Sequence, residues 1–212
     1  MKSHLMLLLM LLSTSHLLAQ KDWVLKKDKE NIQIYVKKVD GYAMKVYKGV
    51  TEMETSVSTL LAVLMDVPGF VEWAPKTKEA RLLDQKGENQ LVYYLLTDAP
   101  WPVNDRDGIY TLTAQKDMET GGVIVKTGSS PDYIPEKKGV VRIRHSEGFW
   151  KLIPLGSGKV QVIYQNHSEP GGNIPAWLAN SSVVDVPFTA LSNIKERVRL
   201  SKYQNQQFNF LR

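Results

Sequence analysis

The chain closes on one long amphipathic segment, Asn173 to about Tyr203, whereas nearly everything before it is broken at strand length. Turning at about 100° per residue puts Trp177, Asn180, Val184, Phe188, Leu191, Ile194 and Val198 on one broad face. Ser181, Asp185, Ser192, Glu196 and Arg199 fall opposite. Asn173 suits an N-cap and Pro175 the first turn, where a missing N–H does little harm. Pro187 lies inside the segment and predicts a kink near Val183.

Upstream, Asn31–Lys37 and Tyr42–Val50 are β-rich runs flanking Asp40-Gly41, a dipeptide fitted to a tight hairpin turn. Thr55–Met65 switches to helical spacing through Val57, Leu60, Leu61 and Leu64, and Pro68-Gly69 ends it. From Lys76 to His167 the turn signals Lys86-Gly87, Gly121-Gly122, Gly128 to Gly139, Gly148 and Gly156-Ser157-Gly158 separate successive strands. Alternation is legible where Val160, Val162 and Tyr164 oppose Gln161 and Gln165. These elements predict one α+β domain, with a meandering antiparallel sheet of seven or eight strands and a long C-terminal helix. One helix fills the concave side of such a sheet only if the sheet curls around it, and space left by the curl becomes an apolar pocket.

The first 19 residues stand apart. Lys2, the apolar run Leu5–Leu12 and a cleavage point after Ala19 read as a secretory signal peptide, leaving residues 20–212 as the folded domain. An exported protein, periplasmic or secreted, is expected. Cysteine is absent, which excludes disulfides, thiolate metal sites, a cysteine nucleophile and lipid attachment at an N-terminal cysteine. Without the leader, 26 Lys and Arg face 22 Asp and Glu, scattered rather than massed. That pattern argues against nucleic acid as a partner and allows mild attraction to an anionic membrane surface.

Three stretches together carry a family resemblance. They are Trp101-Pro102-Val103-Asn104-Asp105-Arg106-Asp107, Gly148-Phe149-Trp150-Lys151-Leu152-Ile153-Pro154, and Glu169-Pro170-Gly171-Gly172-Asn173-Ile174-Pro175-Ala176-Trp177-Leu178. In this order the sequence resembles the START domain family of lipid-transfer domains, within the helix-grip superfamily. The resemblance implies a sheet gripping the C-terminal helix around a tunnel that holds one lipid or sterol, with no cofactor. It also implies a buried cavity arginine at Arg106, whose acidic partner no residue in Glu88–Asp98 matches convincingly, and a gate at Ser129–Lys138.

The residues themselves point the same way. Arg106 shares strand parity with Tyr110 and Leu112, which turns its guanidinium inward, either to a polar head group or to a structural carboxylate such as Asp107. Asn180 interrupts the apolar helix face and is expected to bond a ligand, the backbone near the kink or a buried water. Trp150, Leu152, Val160, Val162, Tyr164, Val184, Phe188 and Leu191 are the expected cavity lining. Tyr133 and Ile134, beside Lys137 and Lys138, put apolar tips next to positive charge, suiting a pocket cover or a transient membrane contact. Beyond the leader only His145 and His167 remain, without the spacing of a metal or hydrolase motif, so no catalytic residue and no metal ligand is expected. The expectation is a monomeric binder of one lipid or similar hydrophobic molecule. The rival is a helix-grip cyclase or hydrolase with a histidine, carboxylate or tyrosine inside its pocket.

Overall fold

The computed structural model describes residues 22–42, 44–172, 174 and 176–211, leaving out the side chains of residues 176–181. The segment read as a leader and the expected N-cap Asn173 lie outside the described residues. Ten strands form one curved sheet: β1 Val24–Lys29, β2 Ile32–Lys37, β3 Val46–Glu54, β4 Thr77–Lys86, β5 Gln90–Thr97, β6 Arg106–Lys116, β7 Val123–Ser129, β8 Val141–Arg142, β9 His145–Gly156 and β10 Lys159–Glu169. Their order is β1-β2-β3-β10-β9-β7-β6-β5-β4, antiparallel throughout that path, and the short β8 pairs in parallel with β6. Helices α1 Val57–Met65 and α2 Phe70–Trp73 connect the two halves, and α3 Ala176–Arg197 follows the last strand.

The α+β architecture expected from the sequence is the one observed, with more strands than the seven or eight expected. The additional first strand, β1, carries Lys26, Lys27, Asp28 and Lys29, is largely exposed and sits at the sheet edge. Such polar, solvent-facing edges offer no buried stripe for alternation to mark. Helix α1 begins at Ser56, whose hydroxyl accepts from the Thr59 backbone N–H at 3.1 Å, a normal N-cap. The long helix ends at Arg197, short of Tyr203, and a 3₁₀ turn at Ser201–Tyr203 follows it. Pro187 lies within α3.

Helix α3 does not lie across the middle of the sheet. It packs on β2 and β3, with α2 at its side. Leu191, fully buried, rests on Gly49 of β3, where a Cβ would stand 2.5 Å from Leu191 Cδ1 and 3.2 Å from Ile34 Cδ1. Only a residue without a side chain allows so close an approach of helix to strand. The docked stripe is Leu191, Ile194 and Val198, joined with Ile32, Ile34 and Leu61 in the main core. The concave surface of β5, β6, β9 and β10 is therefore left beyond the helix, and the cavity forms there.

The opposite, convex face also has a cover. Val92, Tyr94 and Ile109 form a second buried cluster with Ile134 packed against it. Ile134 belongs to the loop between β7 and β8, which Arg142 pins down. Arg142 Nε donates to Asp107 Oδ1 at 2.7 Å and Nη2 to Oδ2 at 3.0 Å, while the guanidinium also serves the carbonyls of Pro131, Ile134 and Pro135. Both side chains of this ion pair are at most 2% exposed. Removing one partner of a buried pair strands the other charge. Asp107→Ala should lower stability by about 3–5 kcal/mol. Urea unfolding would read this, together with earlier proteolysis of residues 130–138 than in the parent chain.

Candidate functional site

The cavity holds about 320 Å³ open to the centres of water molecules and is walled mainly by apolar side chains. Its floor is aromatic. Trp150 of β9 and Tyr164 of β10 are cross-strand partners whose rings stack at 3.7 Å with an interplanar angle of 6°. Trp73 meets Trp150 edge-on at 6.0 Å, and Phe70 meets Tyr93 at 5.2 Å. Tyr110 lies beside Tyr93, with ring centroids 5.5 Å apart. Gly108 makes room for it, because a Cβ there would collide with the Tyr110 ring and hydroxyl.

Four hydroxyls give this apolar wall its polar points. Tyr47 donates to Tyr164 at 2.6 Å, and Tyr93 and Tyr110 complete the set. Burial pushes all four above the ordinary tyrosine value, and the neighbouring hydroxyls push Tyr47, Tyr93 and Tyr110 further in the same direction. At neutral pH they are donors and acceptors, never anions. Tyr110 and Tyr164 keep some accessible surface because they face the enclosed space.

Arg106, at the start of β6, brings a positive charge to this wall. It is 6% exposed, and its guanidinium donates to the carbonyl of Asn104 and, at 3.4 Å, to that of Gly171. These carbonyls belong to the β5–β6 connection and to the entry into α3, so the arginine ties together two loops that border the cavity. Its Nε has no hydrogen-bond partner, and no carboxylate pairs with it among the described residues. Asp105 is taken by Lys78 at 2.9 Å and by the Ala99 N–H at 3.1 Å, and Asp107 points to the other face, to Arg142. The structural ion pair weighed for Arg106 with Asp107 is thus absent, because neighbouring strand residues face opposite sides of the sheet. Burial lowers the guanidinium's pKa and Asp105 only partly restores it, yet arginine stays charged at any physiological pH.

The sequence-derived lining divides. Arg106, Tyr110, Trp150 and Tyr164 are at the cavity wall. Val184, Phe188 and Leu191 are not; Val183, Val186 and Ala190 take their place. The cavity-facing stripe sits roughly a third of a turn round the helix axis from the expected one, because the expected stripe is the one that docks on β2 and β3. Phe188 is half-buried under the Lys27 ammonium, 3.9 Å from its ring centroid. Leu152, Val160 and Val162 are core residues away from the wall. The side chains of Trp177 and Asn180 lie outside the described residues.

The expected gate is displaced as well. No residue of Ser129–Lys138 lines the cavity; Tyr133 donates to Asp84 at 3.2 Å and Ile134 is held against the convex face. The cavity border is formed by Asp98, Ala99 and Pro100 of the β5–β6 connection, by Met44 and Lys45, and by Pro170 and Ile174 before α3. The first of these loops carries Trp101, 92% exposed, next to a cis Trp101-Pro102 bond. Trp101 directly follows the lining residue Pro100 and opens a motif already singled out from the sequence.

The START domain pattern matches residues 8–204. The chain belongs to the START domain family. An uncharacterised protein of Pseudomonas aeruginosa is 41% identical over 175 residues, covering 82% of this chain and 86% of that protein. Human phosphatidylcholine transfer protein is 31% identical over 170 residues, 77% of each chain. The crystal structure of a STAR-related lipid transfer protein fragment from Xanthomonas axonopodis superimposes with a TM-score of 0.78 at 37% identity, covering 84% of this chain and 99% of that one. A START domain fold is a helix-grip, and the off-centre seat of α3 is how this chain forms its cavity.

Because the four cavity hydroxyls have folded pKa values raised above the ordinary value near 10, the folded state holds their protons more tightly than the unfolded chain. Their contribution to stability is complete below about pH 10 and is lost as pH rises beyond it. In an alkaline titration, part of the tyrosinate absorbance of the nine tyrosines should appear only with the loss of circular dichroism. Full ionisation before any loss of structure would contradict the burial of these groups.

Proposed function

We propose that this START domain binds one lipid, with its acyl or ring portion against the aromatic wall and an anionic group of its polar end at Arg106. The single observation that carries this reading is a buried arginine at an apolar cavity without a carboxylate partner. An isolated charge in such a place is costly, and a phosphate or carboxylate of a ligand would relieve it through charge-assisted hydrogen bonds. Burial of apolar ligand surface, at about 25 cal/mol per Å², supplies the rest of the affinity. The matched human relative bears the name of a phosphatidylcholine transfer protein, which supports a glycerophospholipid as the class to test first.

The carrier acts as an exported monomer, periplasmic or secreted, on the strength of its leader sequence. No described helix is long and apolar enough to cross a membrane. Transient contact with the bilayer falls to the β5–β6 connection, where Trp101 offers an amphipathic ring of the kind that settles at headgroup level. Lys45 and Lys76, near the same border, favour anionic lipid surfaces. The rival reading as a cyclase or hydrolase finds little support in the placement of its required groups. His145 and His167 are not among the residues of the cavity wall, the carboxylate there, Asp98, is paired with Lys78, and Tyr93 and Tyr110 are strongly held in the neutral form.

Native mass spectrometry and titration with fluorescent phospholipids test this. Arg106→Gln should weaken binding of an anionic phospholipid by about 10- to 100-fold and that of a neutral diacylglycerol far less. Trp101→Ala should slow transfer between vesicles while leaving equilibrium binding intact. Equal loss for charged and neutral lipids would remove Arg106 from its role, and absence of any bound lipid would overturn the reading.

A further inference from the structure

Strand alternation gives β9 and β10 a second chemistry on the face turned away from the cavity. Glu147 is the cross-strand partner of His167, and His145 that of Glu169. Residues two apart on a strand share a face, so all four side chains project from the convex side while Ser146, Trp150, Tyr164 and Ser168 serve the cavity. One ligand atom from each of His145, Glu147 and His167 lies within 4.8 Å of the other two.

The state of these groups points to a missing partner. His167 is 5% exposed, and its Nε2 is buried without a hydrogen bond; the same is true of His145 Nε2. Glu169 Oε1 stands 3.4 Å from His167 Nε2, outside hydrogen-bond geometry, and accepts the Met44 N–H at 3.1 Å. Glu147 is exposed and has no ion pair among the described residues. Tyr42 roofs the group, edge-on to His167 at 4.4 Å and stacked on His145 at 5.5 Å. The nearby cation is Lys126, which with Glu147, Gln165 and His167 lines a shallow depression beside the cluster; Arg144 is engaged by Asp132 and Glu136.

We propose that His145, His167 and Glu147 bind a divalent transition-metal cation of the zinc class. Two neutral imidazoles and one carboxylate match the nitrogen and oxygen preference of such ions and leave a fourth position open. Calcium and magnesium, which favour all-oxygen shells, are poorly served. Metal–ligand bonds of ~2.0–2.2 Å place tetrahedral neighbours roughly 3.3 Å apart, so the three groups close by side-chain rotation, for which the exposed Glu147 has the freedom. Glu169, the neighbour of this cluster on β10, accepts the Met44 N–H and so lies between the site and the segment before β3.

The test is calorimetric titration of the untagged full chain with Zn²⁺, repeated with Co²⁺ so that a visible absorption band reports coordination. One equivalent of Zn²⁺ should bind, Ca²⁺ and Mg²⁺ should not compete, and Glu147→Gln and His145→Gln should each weaken binding at least tenfold. Glu147 is exposed, so its variant keeps the fold, checked by circular dichroism, even if His167→Gln does not. The chain carries four histidines, two of them in the leader, and the variants separate the sites. No binding, or binding untouched by both Glu147→Gln and His145→Gln, overturns the proposal.

Discussion

Everything about the cavity depends on how closely α3 can approach β3. Gly49 lets Leu191 settle against the strand, so the helix comes to rest over β2 and β3 instead of the centre of the sheet. A ten-stranded, mostly antiparallel sheet twists and curls, and its concave face presents more apolar surface than a single helix at one side can cover. Trp73, Trp150, Tyr164 and Tyr110 fill part of the difference with rings, and what remains is space. The cavity is therefore a result of where the helix docks, and the stripe Leu191, Ile194 and Val198 that docks it does not line it.

Two arginines show how sheet parity divides structure from binding. Arg142 is satisfied many times over: a bidentate carboxylate and three carbonyls hold it, and it fastens a loop to the convex face. Arg106, one strand position from Asp107, faces the other way and finds two carbonyls and no anion. A protein interior rarely leaves a charge so placed unless something else completes it. Asp105 and Lys78, which form an exposed pair at 2.9 Å, keep the adjacent carboxylate from doing so.

Much of this was legible in the residue order. The strand-rich middle, the final helix, the inward parity of Arg106 and the aromatic pair Trp150 and Tyr164 all followed from periodicity and motif. The phase of α3 did not, because Val184, Phe188 and Leu191 form an apolar stripe as good as any, and only the glycine in a distant strand decides what that stripe meets. Tyr133 and Ile134 suit a gate by the family resemblance and by their place beside Lys137 and Lys138, yet Ile134 packs on the convex face. The run Leu91-Val92-Tyr93-Tyr94, buried at every position, was the contrary signal, since a strand covered on both sides loses its alternation. The meeting of His145, Glu147 and His167 could not be read at all: it exists only through the register of β9 against β10.

That register has a bearing on how such a protein tolerates change. On β10, Val162, Tyr164, Asn166 and Ser168 look inward while Gln165, His167 and Glu169 look outward, so a point substitution reaches one chemistry and spares the other. A one-residue insertion or deletion in the strand behaves differently. It turns every following side chain to the opposite face, carrying imidazole and carboxylate into the cavity and tyrosine into solvent at one stroke. Drift in this strand is thus open to replacement and closed to changes of length.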